Sequence, residues 1–259
     1  MNFNILAVGD VVGACGIRYL ESNLRRIKKK YGADLIIVNG ENSADANGIS
    51  RRSAISIFDA GADVITGGNH SLRCKDVYSL YESESRLLLP ANISPVPFGN
   101  GHVIIETSFG RVLVVNVLGQ IYMNPCESPF YAVERILKSE HGNYDFAVAD
   151  IHAEATSEKL AFLRYFSDRF QVIFGTHTHV QTADEMIFRS CGYITDLGMC
   201  GAEDSILGTV AQRVVDKLVK RTPERFELAD GKCVLCGALF TIDSDSKKTL
   251  DVKRIFEAE

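Results

Sequence analysis

Four of the six histidines lie in three short motifs that also carry other metal-ligating side chains. These motifs are Gly68-Asn69-His70, Asp150-Ile151-His152-Ala153-Glu154 and Gly175-Thr176-His177-Thr178-His179. Nearer the N-terminus, Gly9-Asp10 and Asn39-Gly40-Glu41-Asn42 add carboxylate and amide oxygens. Together these side chains could hold two divalent ions, and a bridged pair of ions is a known device for activating water against a phosphate ester. The pattern therefore favours a dinuclear metallohydrolase.

Each motif is less informative when it is taken alone. Asp10 after a strand is typical of a turn or a helix cap, and an isolated His152 would be a buried structural histidine about as often as a ligand. The His-x-His pair at His177 and His179 is stronger, because in a loop the two imidazoles can face neighbouring ions. The combination of motifs favours metal binding over the separate structural interpretations.

The positions of the motifs indicate which elements must hold them. Each motif follows a short apolar run that predicts a strand. The five runs cover residues 3–8, 35–38, 64–66, 144–149 and 171–174. In open α/β sheets, ligands gather outside the carboxyl ends of the strands. We therefore expect the five motifs to converge in one cleft.

The runs between these strands predict helices packed on parallel strands. A helix containing Ile17 and Tyr31 should end at Gly32, and Ser50 should cap a helix whose inner face includes Ile55 and Phe58. Later segments predict a hairpin (102–107 and 111–118), a helix opened by Ser128-Pro129, a helix at 157–170, a strand at 187–194 broken by Gly192, a helix at 207–220 and a strand at 232–242.

Length and charge exclude several classes of protein. The 259 residues are 46% hydrophobic with a net charge of −5, which gives no global attraction for nucleic acid or an anionic membrane. No apolar run approaches the ~20 residues that span a bilayer. Because the expected ligands extend from Asp10 to His179, residues 1–259 should form a single domain. We expect no membrane association and no stable nucleic-acid complex.

The seven cysteines show no pattern of a disulfide framework. Cys233 and Cys236 are three apart in an expected strand, so their thiols should point to opposite faces and act as small buried hydrophobes rather than chelate one ion. Reduced thiols, together with an N-terminus unlike a signal peptide, lead us to expect a cytoplasmic protein.

The motifs resemble the YmdB-like branch of the calcineurin-like metallophosphoesterases over nearly the whole chain. The similar segments are 9–13, 39–42, 67–70, 152–159, 175–184 and 193–199. The resemblance implies a four-layer αββα sandwich, a dinuclear site of iron or manganese, and phosphodiesterase activity on cyclic nucleotides, notably 2′,3′-cyclic AMP.

The same resemblance assigns roles to individual residues. Asp10 and His179 would hold one ion, with Asn42 close by. Asn69, His152 and His177 would hold the other ion, and Glu41 would bridge the two. His70 matches the catalytic histidine of the family, and we expect it to protonate the departing ribose oxygen as a general acid.

Outer residues and the choice of metal complete the prediction. Glu154, Thr178, Gln181 and Asp184 could fix the orientation of the imidazoles from a second layer around the ions. Ligation by imidazole, carboxylate and amide without thiolate suits manganese or iron, and does not exclude catalytic zinc.

Several alternatives stay open. The chain departs from relatives at residues 71–74, where Ser-Leu-Arg-Cys replaces a common Trp-Asp pair, so the substrate could be another phosphoester. A second alternative is a metal- or nucleotide-binding regulatory protein with little turnover. The loop at 122–129 could line the cleft or meet another subunit, which leaves a homo-oligomer open.

Overall fold

The computed structural model describes residues 1–45, 47–93, 98–221, 223 and 225–259. In chain order its elements are β1 (Asn2–Val8), β2 (Asp10–Val11), α1 (Gly13–Tyr31), β3 (Leu35–Asn39), α2 (Arg51–Ala60), β4 (Val64–Thr66), α3 (Tyr78–Ser83), β5 (His102–Thr107), β6 (Gly110–Leu118), α4 (Pro129–Ser139), β7 (Phe146–His152), α5 (Thr156–Phe166), β8 (Val172–Thr176), β9 (Met186–Phe188), β10 (Cys191–Ile194), β11 (Met199–Ala202), α6 (Ala211–Lys220), β12 (Cys233–Asp243) and β13 (Lys248–Ala258).

The strands form two mixed sheets. The first has the order β2-β11-β12-β1-β3-β4, with β13 paired to β12. The second has the order β5-β6-β7-β8-β10-β9. As the sequence predicts, β1, β3 and β4 pair in parallel. In the second sheet β6, β7 and β8 are also parallel, while β6 forms the predicted hairpin with β5. The carboxyl ends of the strands that precede the motifs consequently lie at one edge of each sheet.

Three apolar clusters show how the layers stack. One lies between the two sheets and includes Phe3 and Phe146, whose ring centroids are 5.4 Å apart. A second packs α1 and α2 on the outer face of the first sheet, and a third packs α4 and α5 on the outer face of the second. The order helix, sheet, sheet, helix confirms the four-layer αββα sandwich.

The helix ends follow local sequence rules. Gly32 ends α1 with a φ of 59°, a left-handed conformation that glycine adopts without steric cost. Ser50 accepts a hydrogen bond from the Ser53 N–H and so caps α2 as predicted. The predicted inner face of α2 is wrong at Ile55, which is 41% exposed, whereas Ile57 is buried. The helical period places Ile57, not Ile55, over the sheet.

The C-terminal third departs furthest from the prediction. The strand predicted at 187–194 is divided into β9 and β10, but the predicted break at Gly192 is wrong, since Gly192 lies inside β10. The break falls at Arg189, which adopts a φ of 60°. The helix predicted from residue 207 begins only at Ala211. Strands β2, β11 and β13 carry no recognisable apolar run, because two of them are only two and four residues long and charged residues interrupt the apolar residues of the third.

A disulfide joins Cys15 at the start of α1 to Cys233 at the start of β12. The expectation of reduced thiols is therefore wrong for this pair, whose spacing of 218 residues gave no local signal. Cys236 is a free, buried thiol. Among the residues that the structure describes, none of the helices combines the length and apolarity required to cross a bilayer.

Candidate metal centre

The five motifs converge where the two sheets meet. From the first sheet, Asp10 forms part of β2, Glu41 and Asn42 follow β3, and Asn69 follows β4. From the second sheet, His152 ends β7, while His177 and His179 follow β8. All seven predicted ligands therefore lie at or just beyond strand ends, where α/β proteins commonly bind their ligands.

Glu41 is common to two groups of ligands. Its carboxylate, His152 and His177 offer ligand atoms within 4.8 Å of one another, and so do Asp10, Glu41 and His179. Burial alone would raise the pKa of Glu41, but His152 and His70 hold it well below its usual range. Glu41 is therefore an anion placed between two sets of donors.

Asp10 is fully buried and only partly satisfied. Its Oδ2 atom accepts a hydrogen bond from the main-chain N–H of His177 at 3.1 Å. Among the described residues its Oδ1 atom has no hydrogen-bond partner. Burial raises the pKa of Asp10 to about 6, although His179 and His152 oppose this shift. A buried carboxylate oxygen without a donor is destabilising unless a cation satisfies it, so the donor set fits a bound metal ion.

The two asparagines are oriented differently. Asn69 Oδ1 lies 3.0 Å from His152 Nε2 and thus faces the centre. Asn42 points its Nδ2 atom at Glu41 Oε1 (2.6 Å) and at His179 Nε2 (3.1 Å). Only an amide oxygen can ligate a cation, so Asn42 would have to rotate its amide to act as a ligand.

His152 is held by a buried relay that the sequence did not reveal. Its Nδ1 atom lies 2.9 Å from Thr176 Oγ1, and Thr176 donates to Asp150 Oδ1 at 2.7 Å. Asp150 also accepts hydrogen bonds from Thr66 and Asn39. With Nδ1 bound to the hydroxyl, Nε2 is directed at the centre, the arrangement typical of histidine ligands.

The charges around His152 change its protonation. Burial alone would lower the pKa of His152, but the carboxylates of Glu41 and Asp10 raise it to about 9. His177 behaves oppositely, because burial and the neighbouring His152 lower its pKa to about 3. The neutral His177 is ready to act as a ligand, whereas His152 must first lose a proton.

The loop after β8 presents its two histidines in unusual backbone conformations. His177 has a φ of 101° and His179 a φ of 62°. Non-glycine residues with positive φ store strain, and such strain concentrates at functional sites. His177 Nε2 lies 3.0 Å from Glu154, and His179 Nδ1 lies 3.1 Å from the main-chain oxygen of Leu207. These outer partners leave one nitrogen of each ring directed at the centre.

The other predicted outer residues brace this loop rather than the imidazoles. The N–H of Thr178 donates to Asp196 at 3.0 Å, and Asp196 forms a buried ion pair with Lys159 at 2.7 Å. Gln181 donates to the main-chain oxygens of β12 and β13. Asp184 accepts hydrogen bonds from Thr182 and from Thr195. None of these contacts reaches an imidazole ring.

Gly68 leaves room for the ligands. A Cβ atom at this position would overlap Glu41 Oε2 and His152 Nε2. The Gly68 N–H also donates to Ser71 Oγ at 2.8 Å, which closes the turn after β4. The missing side chain, however, serves the centre and not only the turn.

His70 stands at the border between the centre and solvent. Its Nδ1 atom lies 2.9 Å from Asn42 Oδ1 and 3.2 Å from Glu41 Oε1, and its main-chain N–H donates to Glu41 Oε2 at 2.8 Å. Its side chain is 20% exposed. These contacts hold the ring by Nδ1, so Nε2 is the nitrogen left for a bound molecule.

The centre opens into a cleft of about 310 Å³, near the lower end for small-ligand sites. Its lining includes Glu41, Asn42, Asn47, His70, Glu154, His177, Thr178 and His179, together with Val12, Leu207, Thr209 and Leu228. The loop at 122–129 contributes no residue to this lining, and Tyr122 is 89% exposed.

Known proteins share the sequence and the fold of this chain over nearly its whole length. The chain is 35% identical over 252 residues to the 2′,3′-cyclic-nucleotide 2′-phosphodiesterase of Bacillus subtilis (strain 168), a match that covers 97% of this chain and 96% of that protein. A crystal structure of a hypothetical protein from Thermus thermophilus matches with a TM-score of 0.92 and 33% identity, covering 99% of this chain and 100% of the other.

A second solved structure agrees with the first. It is described as a novel phosphatase from Mycoplasma pneumoniae and matches with a TM-score of 0.93 and 31% identity, covering 100% of this chain and 94% of the other. The family model described as YmdB-like protein matches residues 6–255. The fold, the centre and these matches agree, and the chain belongs to the YmdB-like protein family.

Proposed function

We propose that this protein is a dinuclear metal-dependent phosphodiesterase that hydrolyses cyclic nucleotides, with 2′,3′-cyclic AMP as the favoured substrate. The observation that carries the proposal is the position of Glu41, which two groups of three ligands share. The name of the Bacillus subtilis relative supports the choice of substrate.

The chain offers a distinct set of donors for each ion. Asp10 and His179 would hold one, and His152, His177 and Asn69 the other, with Glu41 between them. Iron or manganese suits these nitrogen and oxygen donors, and zinc is compatible with them. Bound ions would supply a water molecule of lowered pKa and neutralise charge on the phosphate.

The protein's own groups have separate tasks in this proposal. The outer contacts of Thr176, Glu154 and Leu207 hold the three imidazoles in fixed orientations before any ion arrives. Such preorganisation is what electrostatic catalysis requires, because the donors need not rearrange during the reaction.

His70 is the proposed general acid. Asn42 Oδ1 and Glu41 Oε1 hold its Nδ1 atom. Nε2 is then free to give its proton to the ribose oxygen that leaves the phosphorus, which avoids the release of an alkoxide into water. The ring reaches the cleft, so a bound ester can lie within hydrogen-bond range of it.

The expected surroundings of the enzyme follow from the sequence. We propose a small phosphoester as its ligand and the cytoplasm as its compartment. A phosphatase or nuclease-like activity on another phosphoester is the second candidate, because the same metal ligands serve all of these esters.

The decisive experiment measures turnover of 2′,3′-cyclic AMP by protein stripped with a chelator and reconstituted with Mn²⁺, Fe²⁺ or Zn²⁺. His70→Ala should lose most turnover with its metal content unchanged. His141→Ala is the matched control, since His141 is exposed and lies outside the cleft. Two ions bound per chain without cleavage of any phosphoester would refute the enzymatic proposal and favour a metal- or nucleotide-binding regulator.

A further inference from the structure

The cleft has two unlike walls. One wall carries the imidazoles, carboxylates and amides of the metal centre. The other is formed by Val12, Leu207 and Leu228, with Thr209 beside them. These residues are neighbours, since Gly208 packs against Val12 and Thr209 pairs with Leu228. We call these three apolar side chains the apolar wall. A phosphate needs only the first wall, so the second is available for another part of the substrate.

Leu207 holds its place in the apolar wall in an unfavourable backbone conformation. The N–H and C=O groups of Ile206 and Thr209 bond to each other at 2.9 and 3.0 Å, which encloses Leu207 and Gly208 in a two-residue turn. Their φ values are 54° and 85°. Asn-Gly is the usual sequence for such a turn, and a leucine there costs roughly 1 kcal/mol or more.

The turn is fixed on several sides. The Gly208 N–H donates to Ser205 Oγ at 3.0 Å, and Gly208 O accepts from the Ala229 N–H at 2.8 Å. A Cβ atom at Gly208 would overlap Val12 Cγ1, so glycine permits close packing there. The strained leucine is therefore held by its neighbours, and strain held in this way is an indication of function.

Leu207 links the apolar wall to the metal centre. Its main-chain oxygen binds His179 Nδ1, while its side chain remains 47% exposed at the cleft. Covering an exposed apolar surface at the edge of a polar cleft with a flat apolar group is favourable, because it removes that surface from water. The distance from the metal ligands to this surface is short, because one residue contacts both.

We propose that the apolar wall binds the face of the substrate's nucleobase and that Leu207 is a specificity-determining residue. On this view the metal centre recognises the phosphate, and the apolar wall gives the preference for a nucleoside ester over a phosphoester without a base. The inference rests on the proposed function and adds to it the residues that recognise the base.

The test compares two ligands that differ only in the base, adenosine 3′-phosphate and ribose 3-phosphate. Their dissociation constants are measured by calorimetry on Mn²⁺-loaded protein. We expect the wild type to prefer the adenosine ligand. Leu207→Asn should weaken adenosine binding roughly ten-fold more than ribose phosphate binding, the lower end of the effect expected for loss of one methylene contact.

Leu207→Gly and the control Leu250→Asn distinguish loss of the leucine side chain from disruption of the turn. Asparagine and glycine both suit positive φ, so Leu207→Asn and Leu207→Gly preserve the turn and its carbonyl bond to His179. Leu250→Asn is the matched control, because Leu250 is 53% exposed on β13 and lies outside the cleft. It should bind both ligands as the wild type does.

Two results would overturn the inference: equal binding of both ligands by the wild type, or equal weakening of both by the Leu207 variants. Because the measurement needs no turnover, failure of the inference can be distinguished from failure of the proposed activity. A protein that prefers the adenosine ligand but cleaves no cyclic nucleotide would retain the apolar wall and lose the phosphodiesterase assignment.

Discussion

Asp10 Oδ1 lies 3.6 Å from His179 Nε2, too far for a hydrogen bond, and among the described residues no donor satisfies that oxygen. Two potential ligand atoms thus face each other across a gap. A cation between them would satisfy the carboxylate oxygen and would replace the Asn42 amide as the partner of the ring nitrogen. Without a cation the carboxylate is buried at a cost.

Asp10→Asn should therefore stabilise the metal-free protein. The folded pKa of Asp10 is raised from 3.8 to about 6, so the folded state binds more protons than the unfolded state between these pH values. The stabilising contribution is present at low pH and is lost as pH rises through 6. At pH 7 we expect the variant, in chelator, to melt a few degrees above the wild type, since about 1 kcal/mol corresponds to roughly 2–4 °C at this size.

Mn²⁺ should reverse this order. The wild type gains melting temperature with added metal, whereas the neutral amide of the Asp10→Asn variant binds the ion poorly and the variant gains little. A variant that melts below the wild type in chelator would contradict the cost that we assign to the buried carboxylate.

Glu41→Gln should remove metal from both groups, because both share that carboxylate. His179→Ala should remove the ion of one group only. We expect less than one ion per chain in the first variant and one in the second, with turnover reduced by more than about 100-fold in the first, beyond the loss typical of an outer partner.

The measurement is metal content by mass spectrometry after desalting. Glu82→Gln, on the exposed face of α3, is the control for loss of one negative charge. Equal metal content in the Glu41 and His179 variants would argue against a shared carboxylate.

Thr176→Val should weaken metal binding about 10- to 100-fold by releasing His152 from its outer partner. It also leaves the buried Asp150 with one donor fewer, which should cost about 1–3 kcal/mol of stability. Thr176→Ser keeps the hydroxyl and should stay close to the wild type. Calorimetric titration with Mn²⁺ distinguishes the two, and equal affinities would show that the hydroxyl does not orient His152.

Metal affinity should rise with pH across the neutral range. Burial would lower the pKa of His152, but Glu41 and Asp10 raise it to about 9, so the ion must displace a proton below that value. This single group predicts about a ten-fold gain in affinity per pH unit between roughly pH 6.5 and 8. In metal-free protein the same raised pKa gives stability that is complete below about pH 6.5 and is lost as pH rises through 9.

Titrations at about pH 6.5, 7.2 and 8 in buffers of different ionisation enthalpy would measure the proton released. His177, whose pKa is lowered to about 3 by burial and His152, should contribute none in this range. A pH-independent affinity would mean that His152 is already neutral before the ion binds.

The disulfide gives a chemical prediction. Unfolded, unreduced protein should titrate five thiols of the seven cysteines. Reduction should lower the melting temperature, because a cross-link of this kind typically contributes about 2–4 kcal/mol. Seven titratable thiols in freshly purified protein would show that Cys15 and Cys233 are not joined.

The sequence predicted the parts of the fold that depend on local pattern. The strands before each motif are continuous apolar runs, and parallel pairing then fixes where Glu41, Asn69 and His152 must lie. The four layers of the sandwich could be predicted as well, because the resemblance of the motifs to a known family implied them. At α2, however, the prediction placed Ile55 on the inner face, and the structure buries Ile57 there instead.

The outer contacts of the centre were harder to predict, because they join residues far apart in the chain. Thr176 and Asp150 stand beside predicted ligands, yet nothing in their spacing shows that one would bond the other across neighbouring strands. The apolar pattern of the sequence predicts a helix that includes Leu207. Only the left-handed turn reveals that its carbonyl reaches His179.

The ligands of the centre come from both sheets: Asp10, Glu41 and Asn69 from the first, His152 and His177 from the second. An ion held among them would link the two sheets at the end opposite the Phe3–Phe146 contact. Metal at about 100 times its dissociation constant would then add about 2.7 kcal/mol to the free energy of unfolding. The supply of metal would thereby govern how long each copy of the protein survives proteolysis, as well as how fast it works.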